Sequence, residues 1–157
     1  VQSRIATWVR MCVDGTPLLF VNTHLTNHET GIPAQMAVLV ERLQHLIDPK
    51  IETVITGDFN IERNRKPMDS LRDLGFEDAW TLATDVSGPI FTTPVWDVWD
   101  DKAIASVIDE RRIDWICIRP PDGEESPPVA VETINTHRKE PVPSDHFPVV
   151  VSGAADS

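Results

Sequence analysis

Two pairs of polar residues have the spacing that brings side chains to one point. Asn22 and His24 are two residues apart, and so are Asp58 and Asn60. In an extended chain, side chains two residues apart point to the same side, and a carboxylate beside a carboxamide offers the oxygen ligands that Mg²⁺ prefers. Each pair also has an ordinary structural explanation, because a histidine can be hydrogen-bonded at a strand end and Gly, Asp and Asn favour turns.

Two later segments add acids and a second imidazole. Asp114 interrupts an apolar run, and Asp145 directly precedes His146. A carboxylate in apolar surroundings needs a partner, which is either Arg111 or Arg112 or an imidazole that the carboxylate orients for acid–base work. Adjacent side chains point apart in an extended chain, so Asp145 could hold a metal while His146 faces a phosphate. The structural alternative is a capped strand start with an incidental histidine.

The elements that must position these residues can be read from periodicity. Residues 4–13 and 17–25 alternate as two strands around an Asp-Gly turn, and the second is predicted to be an inner strand covered on both faces. Thr53–Thr56 is a further short strand. A helix is predicted between them, because apolar residues recur at helical spacing. These are Met36, Leu39, Val40, Leu43, Leu46 and Ile47. A strand, a helix and a strand favour an α/β or mixed sheet.

The remainder of the chain predicts one domain over residues 1–153, with a tail over residues 154–157. Residues 81–103, which include Trp96 and Trp99, have no clean period and are interpreted as a long surface loop. The other predicted elements are a short helix and three strands. They cover Pro67–Leu74, Ile113–Ile118, Val129–Asn135 and Phe147–Val151. The polar segments lie beside the ends of apolar strands, where open α/β sheets bind ligands.

Charge narrows the class of substrate. The 157 residues include 14 Lys and Arg against 25 Asp and Glu, a net charge of −11. A non-specific duplex binder derives its affinity from cations that face phosphates, and the densest basic patch here is only Arg63, Arg65 and Lys66. The composition therefore favours a small phosphorylated substrate. Cys12 and Cys117 lie in apolar runs and are predicted to be buried, inert thiols.

No apolar run approaches the roughly 18 residues of a membrane helix, so no membrane span is expected. A cytoplasmic location is the expectation, although removal of a signal peptide would leave no trace. The sequence leaves the oligomeric state open.

The order and spelling of the four segments resemble a known family. Asn-Thr-His-Leu, Gly-Asp-Phe-Asn, Arg-Ile-Asp-Trp-Ile and Ser-Asp-His-Phe-Pro-Val follow one another, as in the second half of the endonuclease/exonuclease/phosphatase family, the superfamily of DNase I. The resemblance spans residues 4–151. It implies an α/β (α+β) fold, the four-layer sandwich of two packed β-sheets flanked by helices, of which this chain is mainly the C-terminal half.

The resemblance also implies a role for each polar residue of the first two motifs. His24 matches the histidine that contacts the substrate phosphate, and Asn60 matches the residue that holds a phosphoryl oxygen. Asn22 is expected to support the same substrate site. Asp58 is expected to be catalytic, either activating water or protonating the leaving oxygen, and to bind the metal.

The last two motifs supply the implied acid–base pair and a metal ligand. Asp114 matches the carboxylate that orients a histidine, and His146 matches that histidine, which acts as general base or stabilises the transition state. Asp145 matches a metal ligand. The implied cofactor is Mg²⁺, with Mn²⁺ as an alternative.

The family's principal metal-binding Glu lies upstream of the first motif, so we expect the chain to be part of a longer domain whose N-terminal half packs on the sheet. The expected function is metal-dependent hydrolysis of a phosphoester, as a phosphodiesterase or a phosphatase acting on a phosphorylated small molecule or nucleic acid. Two alternatives stay open. One is a catalytically degenerate binding or regulatory module of the same fold, and the other is a DNA endonuclease or exonuclease (nuclease) of the same family.

Overall fold

The computed structural model describes residues 2–62, 65–93, 111–134 and 144–153. These contain eight strands, three helices and a 3₁₀ turn over Lys66–Met68. The strands are β1 (Ala6–Val13), β2 (Thr16–His24), β3 (Glu52–Asp58), β4 (Glu77–Asp78), β5 (Ala83–Ser87), β6 (Asp114–Arg119), β7 (Val129–Thr133) and β8 (Val149–Gly153). The helices are α1 (Ile32–Leu46), α2 (Asp69–Arg72) and α3 (Ala79–Leu82).

The first sheet carries most of the polar motifs. Its strand order is β1-β2-β3-β6-β4, with β2 and β3 parallel and the other pairs antiparallel. The β2–α1–β3 connection is the strand–helix–strand unit that the sequence predicts. Pro33 lies in the first turn of α1, where its missing N–H is not needed, and the helix ends at Leu46 before Asp48-Pro49, because the residue before a proline avoids helical geometry.

Helix α1 covers one face of the first sheet. Its apolar stripe is buried against β2, β3 and β6, as helical spacing predicts. The cluster includes Met36, Leu39 and Leu43 from the helix and Leu19, Val21, Ile55, Trp115 and Cys117 from the strands. Helix α2 joins the same cluster through Leu71. Burial of these side chains fixes the register of the strands, because a shift of one residue would move every apolar side chain to the other face.

The second sheet, with order β5-β7-β8, packs on the opposite face. Val129 and Val131 of β7 are buried in a cluster with Ile118 of β6. Val54, Ile116, Val149 and Val151 pack against the same cluster. Helices, first sheet and second sheet are thus three of the four predicted layers in the described part of the chain.

Three predictions are wrong: the burial of both faces of β2, the surface loop at residues 83–87, and the burial of Cys12. Strand β2 is an inner strand, yet Leu18 and Phe20 on its second face are only half-buried, because the second sheet packs over β3 and β6. Residues 83–87 form strand β5 rather than a surface loop, and Thr92 farther along is fully buried. Cys12 is exposed on β1, whereas Cys117 is buried as predicted, and burial raises the pKa of the Cys117 thiol to about 12.

Several predictions fall outside the described residues. These concern Arg63, Trp96, Trp99 and the tail over residues 154–157. Over the described ranges, no helix has both the length and the apolar character to cross a membrane.

Candidate active site

Three acidic or imidazole side chains form one row across the first sheet. The register pairs His24 of β2 with Asp58 of β3, and Asp58 with Asp114 of β6. Paired residues on neighbouring strands point to the same face, so three separate motifs converge at one edge of the sheet. The backbone continues this alignment past the strand ends, since Leu25 N–H donates to Asp58 O at 2.9 Å and Phe59 N–H donates to Ile113 O at 2.9 Å.

The Asp58 carboxylate lies at the centre of the row. Its Oδ1 accepts a hydrogen bond from the Asn60 N–H at 2.8 Å. Its Oδ2 is 3.3 Å from His24 Nε2 and 3.8 Å from His146 Nε2. The side chain of Asp58 is 15% exposed and that of His24 is 55% exposed, so one carboxylate oxygen is fixed by the backbone and the other faces two imidazoles at a solvent-accessible edge.

Asn60 forms a turn and also lies at the candidate site, the two interpretations of its motif. The hydrogen bond from the Asn60 N–H to the Asp58 carboxylate closes a turn of the kind that Asp and Asn favour. Asn60 has a φ of 51°, which asparagine tolerates better than most residues. Its side-chain amide donates to Leu25 O at 3.0 Å. The indole of Trp115 donates to Ile61 O at 2.8 Å and thereby fixes the chain that follows. The turn therefore holds the Asn60 amide beside the row.

His146 completes the site from the other sheet. It precedes β8, and its Nδ1 lies 2.8 Å from Asp114 Oδ2, so the partner of Asp114 is the imidazole. This contact leaves Nε2 facing Asp58. Burial raises the pKa of the Asp114 carboxyl above its ordinary value, and the hydrogen bond from Thr92 and the nearby His146 partly offset that rise.

We expect Asp114→Asn to raise the unfolding free energy at neutral pH. In the native protein the pKa of Asp114 is raised above 3.8, so between the two values the folded state binds more protons and the unfolding free energy falls as pH increases. Asparagine does not ionise, so the Asp114→Asn variant lacks this pH-dependent loss of stability. Urea unfolding between about pH 4 and pH 7 should give a stability gain that widens with pH, and exposed Asp85→Asn should give none. A gain that narrows as pH increases would refute this assignment.

Arg112 provides a rigid base for this end of β6. Its guanidinium makes two bonds to the Asp78 carboxylate, at 2.9 Å and 2.6 Å. It also stacks on the rings of Trp80 and Trp115, at 4.5 Å and 4.1 Å from their centroids. A buried guanidinium requires such pairing, and the planar group suits both contacts. These contacts fix the backbone that leads into Asp114, two residues later.

Two predicted residues lie beside the row rather than in it. Asn22 donates to Thr56 Oγ1 at 2.9 Å and to Thr56 O at 3.3 Å, so it supports β3 one row away. Asp145 is exposed and lines a neighbouring cleft of about 640 Å³ together with Asn60. The roles assigned to both residues stay predictions.

The cleft beside the row was not anticipated from the sequence. Its walls are formed by the start of α1, the chain after Asn60, and residues Thr93, Arg111 and Ile113. Arg65 is oriented within it, with Nε 3.1 Å from Glu62 Oε2 and Nη2 3.7 Å from Glu29 Oε1. No periodic pattern in the sequence connects these residues, so the sequence does not predict the cleft. The one signal in the sequence is the basic patch that includes Arg65.

The donors of the site suit a divalent cation. One ligand atom each from Asp58, Asp114 and His146 lies within 4.8 Å of the others. The two carboxylates offer the oxygen ligands that suit Mg²⁺ or Mn²⁺, and the side chains are partly exposed, so an ion can enter. Asp145 is not part of this group.

The fold is shared with solved structures. An endonuclease/exonuclease/phosphatase family protein from Bacteroides thetaiotaomicron superposes with a TM-score of 0.73 at 22% identity, covering 94% of this chain and 55% of that one. A mannosyl-6-phosphatase from the same organism gives 0.71 at 21% identity, covering 95% and 56%. A Staphylococcus aureus beta toxin with bound magnesium ions gives 0.65 at 16% identity, covering 96% and 58%.

This chain therefore spans little more than half the length of the solved structures it matches. No protein-family model and no curated protein matches the sequence. The order of the motifs, the two packed sheets and the structural likenesses agree, and the chain has the fold of the endonuclease/exonuclease/phosphatase proteins, the DNase I-like sandwich.

Proposed function

We propose that this chain carries the phosphate-binding and acid–base residues of a metal-dependent phosphoester hydrolase. The observation that carries the proposal is the row of His24, Asp58 and Asp114 on three adjacent strands, with His146 docked on Asp114 at 2.8 Å. Phosphoryl transfer depends mainly on positioning and on charge stabilisation, and a row built on paired strands supplies fixed positions.

The phosphate is expected to bind in front of Asp58, between the two imidazole Nε2 atoms. His24 would donate a hydrogen bond to one phosphoryl oxygen. An amide group carries two N–H donors, and since Asn60 uses one for Leu25 O, the second can bind another phosphoryl oxygen. These donors stabilise the charge that grows on the phosphoryl oxygens in the transition state.

His146 is proposed to act as the general base. The Asp114 carboxylate accepts a hydrogen bond from Nδ1–H, which leaves Nε2 as an acceptor. The same carboxylate stabilises the imidazolium that forms, as in other carboxylate–histidine pairs. Nε2 takes a proton from water as the water oxygen forms a bond to phosphorus in line. The bond from phosphorus to the ester oxygen breaks, and that oxygen takes a proton from solvent water on leaving as an alcohol. The His146 imidazolium then returns its proton to solvent, so the step needs no covalent enzyme intermediate.

A bound Mg²⁺ would neutralise charge on the phosphoryl and leaving oxygens. Asp58, with the Asp114 carboxylate within reach, is the group we propose to hold it, and the resemblance adds Asp145. The bound magnesium of the Staphylococcus aureus beta toxin, a protein of the same fold, supports the choice of cation.

The neighbouring cleft is proposed to receive the alcohol portion of the ester. It adjoins the row through Asn60, and Arg65 within it is paired with Glu62 and Glu29. The lining contains two cations, Arg65 and Arg111, against three acids, which are Glu29, Glu62 and Asp145. Paired charges of this kind provide hydrogen-bond donors and acceptors without a net positive field, which disfavours a nucleic acid backbone. This supports a small phosphorylated substrate.

Packing of an N-terminal half on the sheet stays a prediction. All residues of β1 are exposed, and its large apolar side chains include Trp8 at 54%, Val9 at 45% and Val13 at 50% exposed. An exposed apolar strand of this kind usually packs against further polypeptide, which supports the expectation.

The proposal is tested by hydrolysis of bis(para-nitrophenyl) phosphate and para-nitrophenyl phosphate. Both esters should be offered with Mg²⁺, with Mn²⁺ and with EDTA, while Mn²⁺ binding is followed separately by titration calorimetry. We expect turnover of at least one ester that EDTA abolishes and Mg²⁺ restores, and the preferred ester separates a phosphodiesterase from a phosphatase.

The binding-module alternative predicts a different result. It requires that the folded chain binds Mn²⁺ or a phosphate ester yet turns over neither substrate at saturating metal. Turnover that persists undiminished in EDTA would contradict the metal dependence instead.

A further inference from the structure

Thr92 connects the two chain segments that carry the acid–base pair. Asp114 belongs to the first sheet, whereas His146 precedes β8 of the second sheet. Thr92 O accepts a hydrogen bond from Phe147 N–H at 2.8 Å, next to His146. On the other side, Thr92 N–H donates to Arg111 O at 3.2 Å, so this residue lies between the segments and is fully buried.

The hydroxyl group of Thr92 adds contacts that its backbone cannot make. Oγ1 accepts hydrogen bonds from Ile113 N–H at 3.3 Å and from Asp114 N–H at 3.2 Å. The hydroxyl itself donates to Arg111 O at 3.5 Å, and its closeness lowers the pKa of the Asp114 carboxyl against the effect of burial. One side chain therefore bonds the backbone at Arg111, Ile113 and Asp114, the residue that orients His146.

Neighbouring groups strengthen this connection without duplicating it. The rings of Phe91 and Phe147 pack with centroids 5.6 Å apart. Thr93 Oγ1 donates to Arg111 O at 3.2 Å. Neither contact reaches Asp114, so the hydroxyl of Thr92 has a separate role.

We propose that Thr92 is a positioning residue that sets the geometry of the Asp114–His146 pair. This inference rests on the proposed function, because the pair is given a task only by phosphoester hydrolysis. Buried N–H groups require an acceptor, and loss of the hydroxyl leaves the N–H groups of Ile113 and Asp114 without Oγ1. Asp114 would then shift relative to His146, and displacement of about 1 Å in an active site can lower the rate about 10²-fold.

The test compares Thr92→Val, which keeps the shape and removes the hydroxyl, with Thr92→Ser, which keeps the hydroxyl. Thr53→Val is the matched control, since Thr53 is fully buried in the sheet that contains Asp114. Its Oγ1 has no hydrogen-bond partner among the described residues. Two readouts are needed: steady-state kinetics, and the downfield proton resonance of His146 Nδ1–H in the NMR spectrum of the full 157-residue chain.

We expect Thr92→Val to lower kcat about 10²-fold with little change in KM, and to shift or abolish the His146 Nδ1–H resonance. Thr92→Ser should restore both, and Thr53→Val should alter neither. A folded Thr92→Val protein with the parental resonance and kcat would overturn the proposal, because the hydroxyl would then be only structural.

The two hypotheses fail in distinguishable ways. Absence of hydrolysis both in this chain and in a chain extended upstream would contradict the proposed function, yet the resonance would still report whether Thr92 positions the pair. If Thr92→Val does not fold, Thr92→Ser is compared with Thr92→Ala, and a resonance lost in the serine variant overturns the proposal.

Discussion

Replacing Gly57 by alanine should abolish the native fold of the full chain. A Cβ at this position would lie 1.8 Å from the backbone oxygen of Thr23 and 2.8 Å from its carbonyl carbon. Gly57 pairs with Thr23 on β2 and with Trp115 on β6, so neither neighbouring strand can move away without breaking its ladder. The φ of 147° is also one that favours glycine.

The expected cost is several kcal/mol, comparable with the total stability of an ordinary domain. Far-UV circular dichroism, urea unfolding and a ¹H–¹⁵N correlation spectrum measure it. Gly123→Ala is the control, because Gly123 also has a positive φ of 87° but a Cβ there meets nothing within 4 Å. That variant should lose only about 1–2 kcal/mol, and an equal loss in the two variants would show that contact with Thr23 is not the cause.

Asp58→Asn should lower kcat/KM by about 10³-fold or more while the fold persists. The asparagine Oδ1 can still accept the Asn60 N–H bond that forms the turn, so the backbone has no reason to move. The substitution removes the negative charge that faces His24 and His146. Loss of one preorganised group in an active site typically costs about 10²–10³-fold, and loss of the proposed metal ligand adds to this.

The measurement combines kcat/KM with the affinity for Mn²⁺, because both should fall together. Exposed Asp85→Asn on β5 removes the same charge far from the row and should leave both values unchanged. An Asp58→Asn enzyme that retains activity within tenfold of the parent would exclude Asp58 as the central residue of the site.

The elements of the first sheet could be predicted because their information is local. Alternation in β1 and β2, the apolar stripe of α1 and the two-residue spacings at Asn22–His24 and Asp58–Asn60 are all read within one segment. The carboxyl ends of the parallel strands β2 and β3 meet at one edge, so convergence of the first two motifs followed from the predicted strand–helix–strand unit. Asp114 reaches the same edge because it begins the antiparallel strand β6. The choice between Arg112 and His146 as partner of Asp114 required the fold, since both are plausible in sequence.

Features that depend on distant parts of the chain could not be predicted. Cys12 lies in an apolar run like that of Cys117, and only the packing of other elements leaves one exposed and the other buried. Thr92 lies in a stretch without periodicity, and its role depends on contacts with residues 111–114 and with Phe147. Strand β5 has little apolar alternation, because it is exposed along most of its length.

Because Asp114 lies on the first sheet and His146 precedes a strand of the second, their contact depends on how one sheet packs on the other. A small slide between the sheets would separate Nδ1 from Oδ2 while every strand ladder stayed intact. The proposed hydrolysis should therefore respond to the packing of Val54, Ile116 and Val131 before secondary structure does. Removal of one methyl group from the interface between the sheets should alter the proposed turnover, and mild warming should abolish it below the unfolding temperature.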